Sequence, residues 1–255
     1  LLKRADAMDC EFIATGHYAV IKEHQGRKFI SKGKDERKDQ SYVLWGLSQD
    51  CLERSNFPLG GYTKDEIRKM AFDWGYAELS KKAESYEICF VPDNDYRGFL
   101  KRRVAGLEER VKGGHFVDVQ GNIIGEHEGY PFFTIGQRKG LGSAFGKPMF
   151  VSEIKPESNT VVLGEIESLL KNGMTVKGIN SMKYESIPDG LEAITQVRYN
   201  DRGTLSVLKN RGLDEIGVEF YANVKGIAPG QSAVFYEGDD VIGGGIIHSS
   251  LKNEN

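Results

Sequence analysis

One cysteine, Cys89, stands inside the stretch S-Y-E-I-C-F-V-P-D-N-D-Y-R-G-F-L-K-R-R, Ser85 to Arg103, between Ile88 and Phe90. Pro92 ends the short apolar run, and the acidic and Asn residues behind it suit the cap of a helix from Asp95 to Arg103. Helical spacing turns Tyr96, Phe99 and Leu100 inward and leaves Arg97, Lys101, Arg102 and Arg103 on the other side. A thiol at the end of a buried strand beside a cationic helix suits sulfur chemistry on a polyanion, because the thiolate is the nucleophile and cations favour it. The same residues also fit an inert core cysteine followed by a solvated helix, since free Cys is among the most buried residue types.

Other clusters point to an anionic partner. In G-K-D-E-R-K-D-Q-S-Y, Gly33 to Tyr42, Lys34, Arg37 and Lys38 alternate with acids, and Gln40 opens a helix through Tyr42, Leu44, Trp45 and Leu47. Basic and amide side chains at the start of an aromatic helix suit phosphate and base-edge contacts; a solvated charge run is the plain alternative. Arg198-Tyr199 and Asp201-Arg202 stand together at a strand end and offer cations and a ring to a nucleic acid. T-I-G-Q-R-K-G-L-G, Thr134 to Gly142, offers backbone N–H groups and two cations to an anion, but it lacks the G-x-x-x-x-G-K-[ST] phosphate-loop pattern. Gly16-His17 follows the strand candidate E-F-I-A-T, Glu11 to Thr15, at the strand end where ligands of α/β proteins collect.

These residues need elements to hold them. Tyr18–Lys22 and Lys28–Lys32 form a hairpin around Gln25-Gly26. Thr63 to Trp74 is the clearest helix: Thr63 and Glu66 make a capping box, Ile67, Met70, Ala71 and Trp74 form a packing stripe, and Gly75 stops it. Gly113 to Gly125 reads as a hairpin turning at Gln120-Gly121-Asn122, and Met149–Ile154 against Thr160–Leu163 as another. Short alternating strands follow at Met174–Ile179, Leu191–Val197, Gly203–Leu208, Gly217–Asn223, Ser232–Tyr236 and Val241–His248, the spacing of a small antiparallel barrel.

The totals bound the class. A 255-residue chain is long for one core, and 28% charged with 39% hydrophobic residues is a globular composition. No apolar run reaches the roughly eighteen residues of a membrane span. A net charge of −3 does not announce a nucleic-acid binder, so the local basic clusters carry that reading. Cys10, Cys51 and Cys89 have no metal-ligand spacing and are odd in number, which points to a reducing, cytoplasmic compartment and no metal site. L-L-K-R-A-D-A-M-D-C at the start reads as the tail of an amphipathic helix, so a larger protein is expected.

A-T-G-H-Y-A (Ala14–Ala19), K-D-Q-S-Y (Lys38–Tyr42), F-P-L-G (Phe57–Gly60), S-Y-E-I-C-F (Ser85–Phe90), G-E-H-E-G (Gly125–Gly129), T-I-G-Q-R-K-G-L-G and P-G-Q-S-A-V-F-Y (Pro229–Tyr236) occur in this order. Together they resemble the bacterial tRNA-specific 2-thiouridylase family over nearly the whole chain. The resemblance implies an α/β plus β protein: the C-terminal remainder of an ATP-pyrophosphatase-type nucleotide domain over 1–100, a small β-rich central domain over 101–167 and an antiparallel β-barrel over 168–255. It implies that ATP, with Mg2+, adenylates C2 of the wobble uridine of tRNA (Lys, Glu and Gln acceptors). A cysteine persulfide charged by a sulfur-relay protein or cysteine desulfurase then delivers sulfur there, and a monomer is expected.

By the same resemblance Cys89 carries the persulfide, Gly16 contacts the nucleotide, and His17, Lys38, Asp39, Gln40, Arg198, Tyr199 and Gln231 contact tRNA. The family's S-G-G-x-D-S phosphate loop and its second catalytic cysteine are absent from the sequence, and Cys10 reads as a packing residue. The chain by itself is therefore expected not to adenylate tRNA, and a non-catalytic tRNA-binding module is the alternative function. Many members carry Gly where this chain has Glu87, and with Glu84, Asp93 and Asp95 this charge pushes the Cys89 thiol pKa upward. Compensation is expected from the N-terminus of the Asp95 helix or from a cation.

Overall fold

The computed structural model describes residues 1–82, 91, 95–142, 146–212 and 214–251. They form two compact units, one of residues 1–82, 172–222 and 229 onward, the other of the described residues between 82 and 172 together with 223–228.

The first unit opens with α1 (Leu2–Ala7), β1 (Ile13–Ala14), the hairpin β2 (Ala19–His24) and β3 (Arg27–Lys32), α2 (Gln49–Glu53), β4 (Ser55–Asn56), α3 (Lys64–Asp73) and α4 (Ala77–Ser80). Gln25 and Gly26 both take positive φ, 51° and 75°, the turn geometry that matches the twist of a two-residue hairpin. Of the strand expected over Glu11–Thr15 only Ile13 and Ala14 pair, in parallel with Ser55 and Asn56. Thr63 accepts the Glu66 N–H while Glu66 accepts the Thr63 N–H, so the capping box starts α3 as its sequence requires. The packing stripe is narrower than expected: Ile67, Met70 and Ala71 are half-buried, but Trp74 is 69% exposed, since no described residue covers that end. Cys10 is a second correction, being exposed and not packed.

The helix expected from Gln40 through Leu47 is a single 3-10 turn, Ser41–Leu44. The Leu47 N–H bonds the Leu44 carbonyl in the tighter i-to-i−3 pattern, and the barrel holds the carbonyls where the turn ends. Asn180 Nδ2 donates to the carbonyls of Trp45 and Leu47 at 2.6 and 3.0 Å, and Ser48 then caps the separate helix α2.

The second unit contains α5 (Tyr96–Arg103), α6 (Leu107–Val111), β5 (Gly114–Val117), β6 (Ile123–His127), β7 (Phe150–Lys155) and β8 (Thr160–Gly164). The sheet order is β6-β5-β8-β7, with β5 and β8 parallel. Asp118 accepts the N–H groups of Gln120 and Asn122, both at 2.9 Å, and shapes the first hairpin turn. Helix α5 lies where expected, with Asp95 accepting the Gly98 N–H, but its faces differ from the periodic reading. Tyr96 is 45% exposed, whereas Arg97 lies over Phe132 and Phe133 and Lys101 over Phe132. Long cationic stems cover core rings here, which an apolar-in, charged-out pattern does not anticipate. Because Asp95 itself occupies the helix N-terminus, the positive end of α5 is already partly neutralised.

The chain then returns to the first unit and forms β9 (Leu170–Ser181), β10 (Leu191–Gln196), β11 (Thr204–Asn210), β12 (Glu215–Lys225), β13 (Ser232–Glu237) and β14 (Asp240–Leu251). The order β13-β10-β11-β12-β9-β14, with β13 also paired to β14, closes a six-stranded antiparallel barrel. All six expected strands are present, because half-buried strands announce themselves by alternation. The β2–β3 hairpin joins the same sheet through the pairing of Ser31 with Asp240. Its core is shared: Phe29, Ile30, Tyr42, Leu44 and Leu52 pack with the barrel residues Met182, Val234, Tyr236 and Val241.

Gly244 makes this junction sterically possible. A Cβ there would stand 2.7 Å from the Ala233 carbonyl oxygen and 3.0 Å from the Trp45 indole. Gly244→Val is expected to cost about 1–3 kcal/mol by overpacking, read as a lower denaturant midpoint with a shift of Trp45 fluorescence. In the second unit, His127 packs on Phe116 and Phe133 and accepts the Gly129 N–H through Nδ1 at 3.0 Å. Burial pushes its pKa below the usual 6.5, so protons bind more readily to the unfolded chain. The stability this unit holds above about pH 6.5 should be lost as pH falls through the lowered pKa, and acid denaturation curves of wild type and His127→Phe check it.

Candidate nucleic-acid interface

Glycine at 33 is dictated by space: a Cβ would lie 2.9 Å from the carbonyl carbon and oxygen of Tyr18. The loop that follows is organised by carboxylates turned onto backbone N–H groups. Asp35, buried, accepts the N–H groups of Lys64 and Arg37 at 3.0 and 3.2 Å. The Lys64 hydrogen bond holds its carboxyl below the ordinary range against the opposing effect of burial. Asp39 accepts from the Gly33 and Ser41 N–H groups at 3.0 and 3.3 Å and from the Ser41 hydroxyl at 2.6 Å. Gln40 pairs with Tyr18 in both directions, its N–H donating to the Tyr18 carbonyl and its Oε1 accepting the Tyr18 N–H. Lys34 bonds Glu66 at 2.7 Å, which holds that carboxyl down at about 2.

On the barrel, the turn after β10 is built by the same device. Asp201 accepts the N–H groups of Val197 and Gly203 at 3.1 and 3.2 Å. The two loops meet directly. The Tyr199 hydroxyl donates to the Asp39 carbonyl at 3.0 Å, and the Tyr199 ring packs edge-on against Tyr42, centroids 6.1 Å apart. The Tyr42 hydroxyl donates to the Ser232 carbonyl at 2.8 Å; burial, then the charge of Asp201, pushes its pKa up to about 12, so it remains a donor.

Between the loops lies a cleft of about 960 Å³. Its rim carries Lys32, Lys34, Arg37 and Arg202 beside Glu36, Asp39, Asp201 and Asp239. Asp39 and Asp201 are turned onto backbone donors; Arg202 is exposed, and Arg37, also exposed, lies 3.8 and 3.9 Å from Asp35 and Asp65.

Several residues singled out in the sequence therefore converge. Lys38, Asp39 and Gln40 stand on one loop, with Tyr199 bonded to Asp39 and Arg198 beside it in the chain. Gly16 and His17 immediately precede Tyr18, which is stitched to Gln40. Gly16 is exposed and a Cβ would meet only Leu59 Cδ1, at 3.5 Å, so its backbone is open to a ligand. His17 Nδ1 is 2.8 Å from the Thr15 hydroxyl oxygen, and its ring packs edge-on with Phe57. Gln231 is exposed, outside the cleft lining, and adjoins Ser232, the acceptor of Tyr42. Cys89 lies outside the described residues. The loop of Gly136 to Gly140 is tied to β7, the Gly136 N–H to Val151 and the Val151 N–H to Gln137, so it keeps fewer free donors than expected.

Asn180 was not singled out, and Ser41, Trp45 and Tyr236 were read only as members of a helix or a motif, yet all four hold the loop on the barrel. The signal available was the Gly243-Gly244-Gly245 run, since glycine inside a strand marks close approach of another group. Among the described residues, no group of three or more His, Cys, Asp or Glu is placed to hold a metal ion, and no helix is long and apolar enough to cross a membrane.

Family profiles cover most of the chain: a tRNA methyl transferase HUP domain over residues 1–93, a tRNA methyl transferase PRC-barrel domain over 97–165 and an aminomethyltransferase beta-barrel domain over 171–247. The chain is 60% identical to the tRNA-specific 2-thiouridylase MnmA of Cytophaga hutchinsonii, an alignment spanning all of this chain and 69% of that protein. It is 57% identical to the protein of that name from Amoebophilus asiaticus (99% and 67% covered) and 46% identical to that from Carboxydothermus hydrogenoformans (98% and 68%).

The chain belongs to the tRNA-specific 2-thiouridylase family. The profile names refer to methyl transfer, but relatives this similar over the whole chain are named for thiolation, and their names decide the family. In this 2-thiouridylase chain residues 1–82 of the HUP segment and most of the barrel segment lie in one unit and meet at the cleft.

Asp35→Ala strips two N–H groups of their buried acceptor, and is expected to cost about 1–3 kcal/mol. Since its folded pKa is lowered below 3.8, the wild-type contribution is present above that pH and lost as pH falls through the folded value. Urea denaturation of both proteins at neutral and acid pH checks the magnitude and the pH window.

Proposed function

We propose that this chain is the tRNA-gripping and sulfur-delivering part of an ATP-dependent tRNA 2-thiouridylase. The supporting observation is the meeting of the Lys38-Asp39-Gln40 and Arg198-Tyr199 loops, far apart in sequence, along one cleft through the Tyr199–Asp39 hydrogen bond. Lys38 and Arg198 take tRNA phosphates, Gln40, His17 and Gln231 take polar edges, and the open backbone at Gly16 lies on the nucleotide side. The substrate chemistry follows the family. ATP, with Mg2+, activates the wobble uridine at C2 as an adenylate. The terminal sulfur of a Cys89 persulfide then bonds to C2, and AMP leaves with the former carbonyl oxygen. A second thiol of the full-length protein cleaves the sulfur–sulfur bond to Cys89 and leaves a disulfide for an external thiol to reduce. The persulfide comes from a cysteine desulfurase or a sulfur-relay protein.

In the full-length protein, Cys89→Ser is expected to abolish 2-thiouridine while tRNA still binds, scored by mass spectrometry of digested tRNA. Thiolation at the wild-type level by that variant removes Cys89 from the reaction and leaves an RNA-binding module. Neutralising Lys38 or Arg198 should weaken tRNA binding and lower the slope of log K against log salt by about one unit each. Unchanged slopes take both residues out of the interface.

A further inference from the structure

We infer that Asp39 is a positioning residue that sets the loop in register with the barrel, and not an RNA contact. This inference rests on the reading of the cleft as the tRNA-facing surface. A carboxylate has about four acceptor sites, and Asp39 spends three of them internally: Gly33 N–H, Ser41 N–H and Ser41 Oγ–H. The hydroxyl it accepts from is fully buried, Ser41 being 0% exposed, so the group on the far side of Asp39 is out of reach of any ligand.

The hydrogen-bond direction can be assigned. A carboxylate only accepts, so Ser41 gives Asp39 its one proton. Ser41 Oγ is also 3.1 Å from the Tyr236 hydroxyl, so Tyr236 must be the donor there. Burial of Tyr236 raises its pKa and keeps that proton in place. The result is a directed chain from the barrel strand β13 to the loop: Tyr236 to Ser41 to Asp39. Asp39 is then held a second time from the barrel, its carbonyl accepting the Tyr199 hydroxyl. Lys38 and Gln40 flank a residue fixed at both its side chain and its main chain. Facing RNA would in addition set the Asp39 charge against phosphates.

The test compares Asp39→Ala, Asp39→Asn and Ser41→Ala in the full-length protein by tRNA affinity, salt slope and amide hydrogen exchange without RNA. Asn keeps one oxygen for the two N–H groups, so Asp39→Asn should retain the slow exchange of the Gly33 and Ser41 amides and stay within about threefold of wild-type affinity. Asp39→Ala should lose that protection and about tenfold in affinity, the equivalent of one or two net hydrogen bonds. Its salt slope should fall by about one unit, as Lys38 is misplaced. Ser41→Ala, which cannot touch RNA, should weaken binding in the same direction, and the Asp39→Ala/Ser41→Ala pair should be no weaker than Asp39→Ala alone. Equal losses in Asp39→Asn and Asp39→Ala, with Ser41→Ala neutral, make Asp39 a direct contact and overturn the inference. If neutralising Lys38 and Arg198 leaves tRNA binding untouched, the interface reading fails by itself. Amide protection retained in Asp39→Ala then still overturns the positioning role, and lost protection still supports it.

Discussion

Segment 39–47 is bound to the barrel, and the candidate site exists because of that binding. Four groups do it: Ser41 to Tyr236, Tyr42 to the Ser232 carbonyl, Asn180 to the carbonyls of Trp45 and Leu47, and the Trp45 indole seated on Gly244. Each hydrogen bond contributes only about 0.5–1.5 kcal/mol net; the Ser41–Tyr236 bond is buried and the others are part-buried, beside the apolar cluster of Phe29, Leu44, Met182 and Val234. Leaving the buried Ser41 or Tyr236 hydroxyl unpaired costs more than their bond contributes, so that contact resists piecemeal loss. Residues more than 150 positions apart thereby share one surface, as the Tyr199–Asp39 bond, with a separation of 160, records.

Electrostatics on this surface follow from the same economy of donors. The chain is net acidic at −3, and the cleft rim holds carboxylates as well as cations. Asp39 and Asp201, and Asp35 behind them, point at backbone N–H groups that would otherwise go unsatisfied in tight loops. Their charge is partly compensated by those dipoles, whereas Arg202 is exposed and Arg37, exposed as well, is shared between Asp35 and Asp65. A local field that favours a polyanion can thus arise on a chain whose total charge argues against one.

Which features were legible in the sequence can be read off particular residues. The six barrel strands, the Gln25-Gly26 hairpin and the Thr63/Glu66 box each depend on local patterns, alternation, positive-φ turn chemistry and a capping pair, and each is present. What failed was decided by distant partners. Asn180 on the barrel binds the carbonyls of Trp45 and Leu47 where the 3-10 turn ends, and the rings of Phe132 and Phe133 draw Arg97 inward from a face that periodicity assigns to solvent. The K-D-Q and R-Y loops stood out by their cations and rings and by resemblance; Ser41 and Tyr236 lay inside matching motifs with no role attached, and Asn180 lay in none. Sequence spacing also does not announce that the Asp39 carboxylate accepts from Gly33 and Ser41 of its own loop.

The proposed function needs two loops to act as one RNA-facing surface. The most direct measurement is amide hydrogen exchange of the full-length protein with and without substrate tRNA, followed by mass spectrometry at peptide resolution. The account predicts that peptides covering 33–42 and 197–203 gain protection together, at the same tRNA concentration. Protection of only one of them, or of neither while tRNA is demonstrably bound, contradicts it.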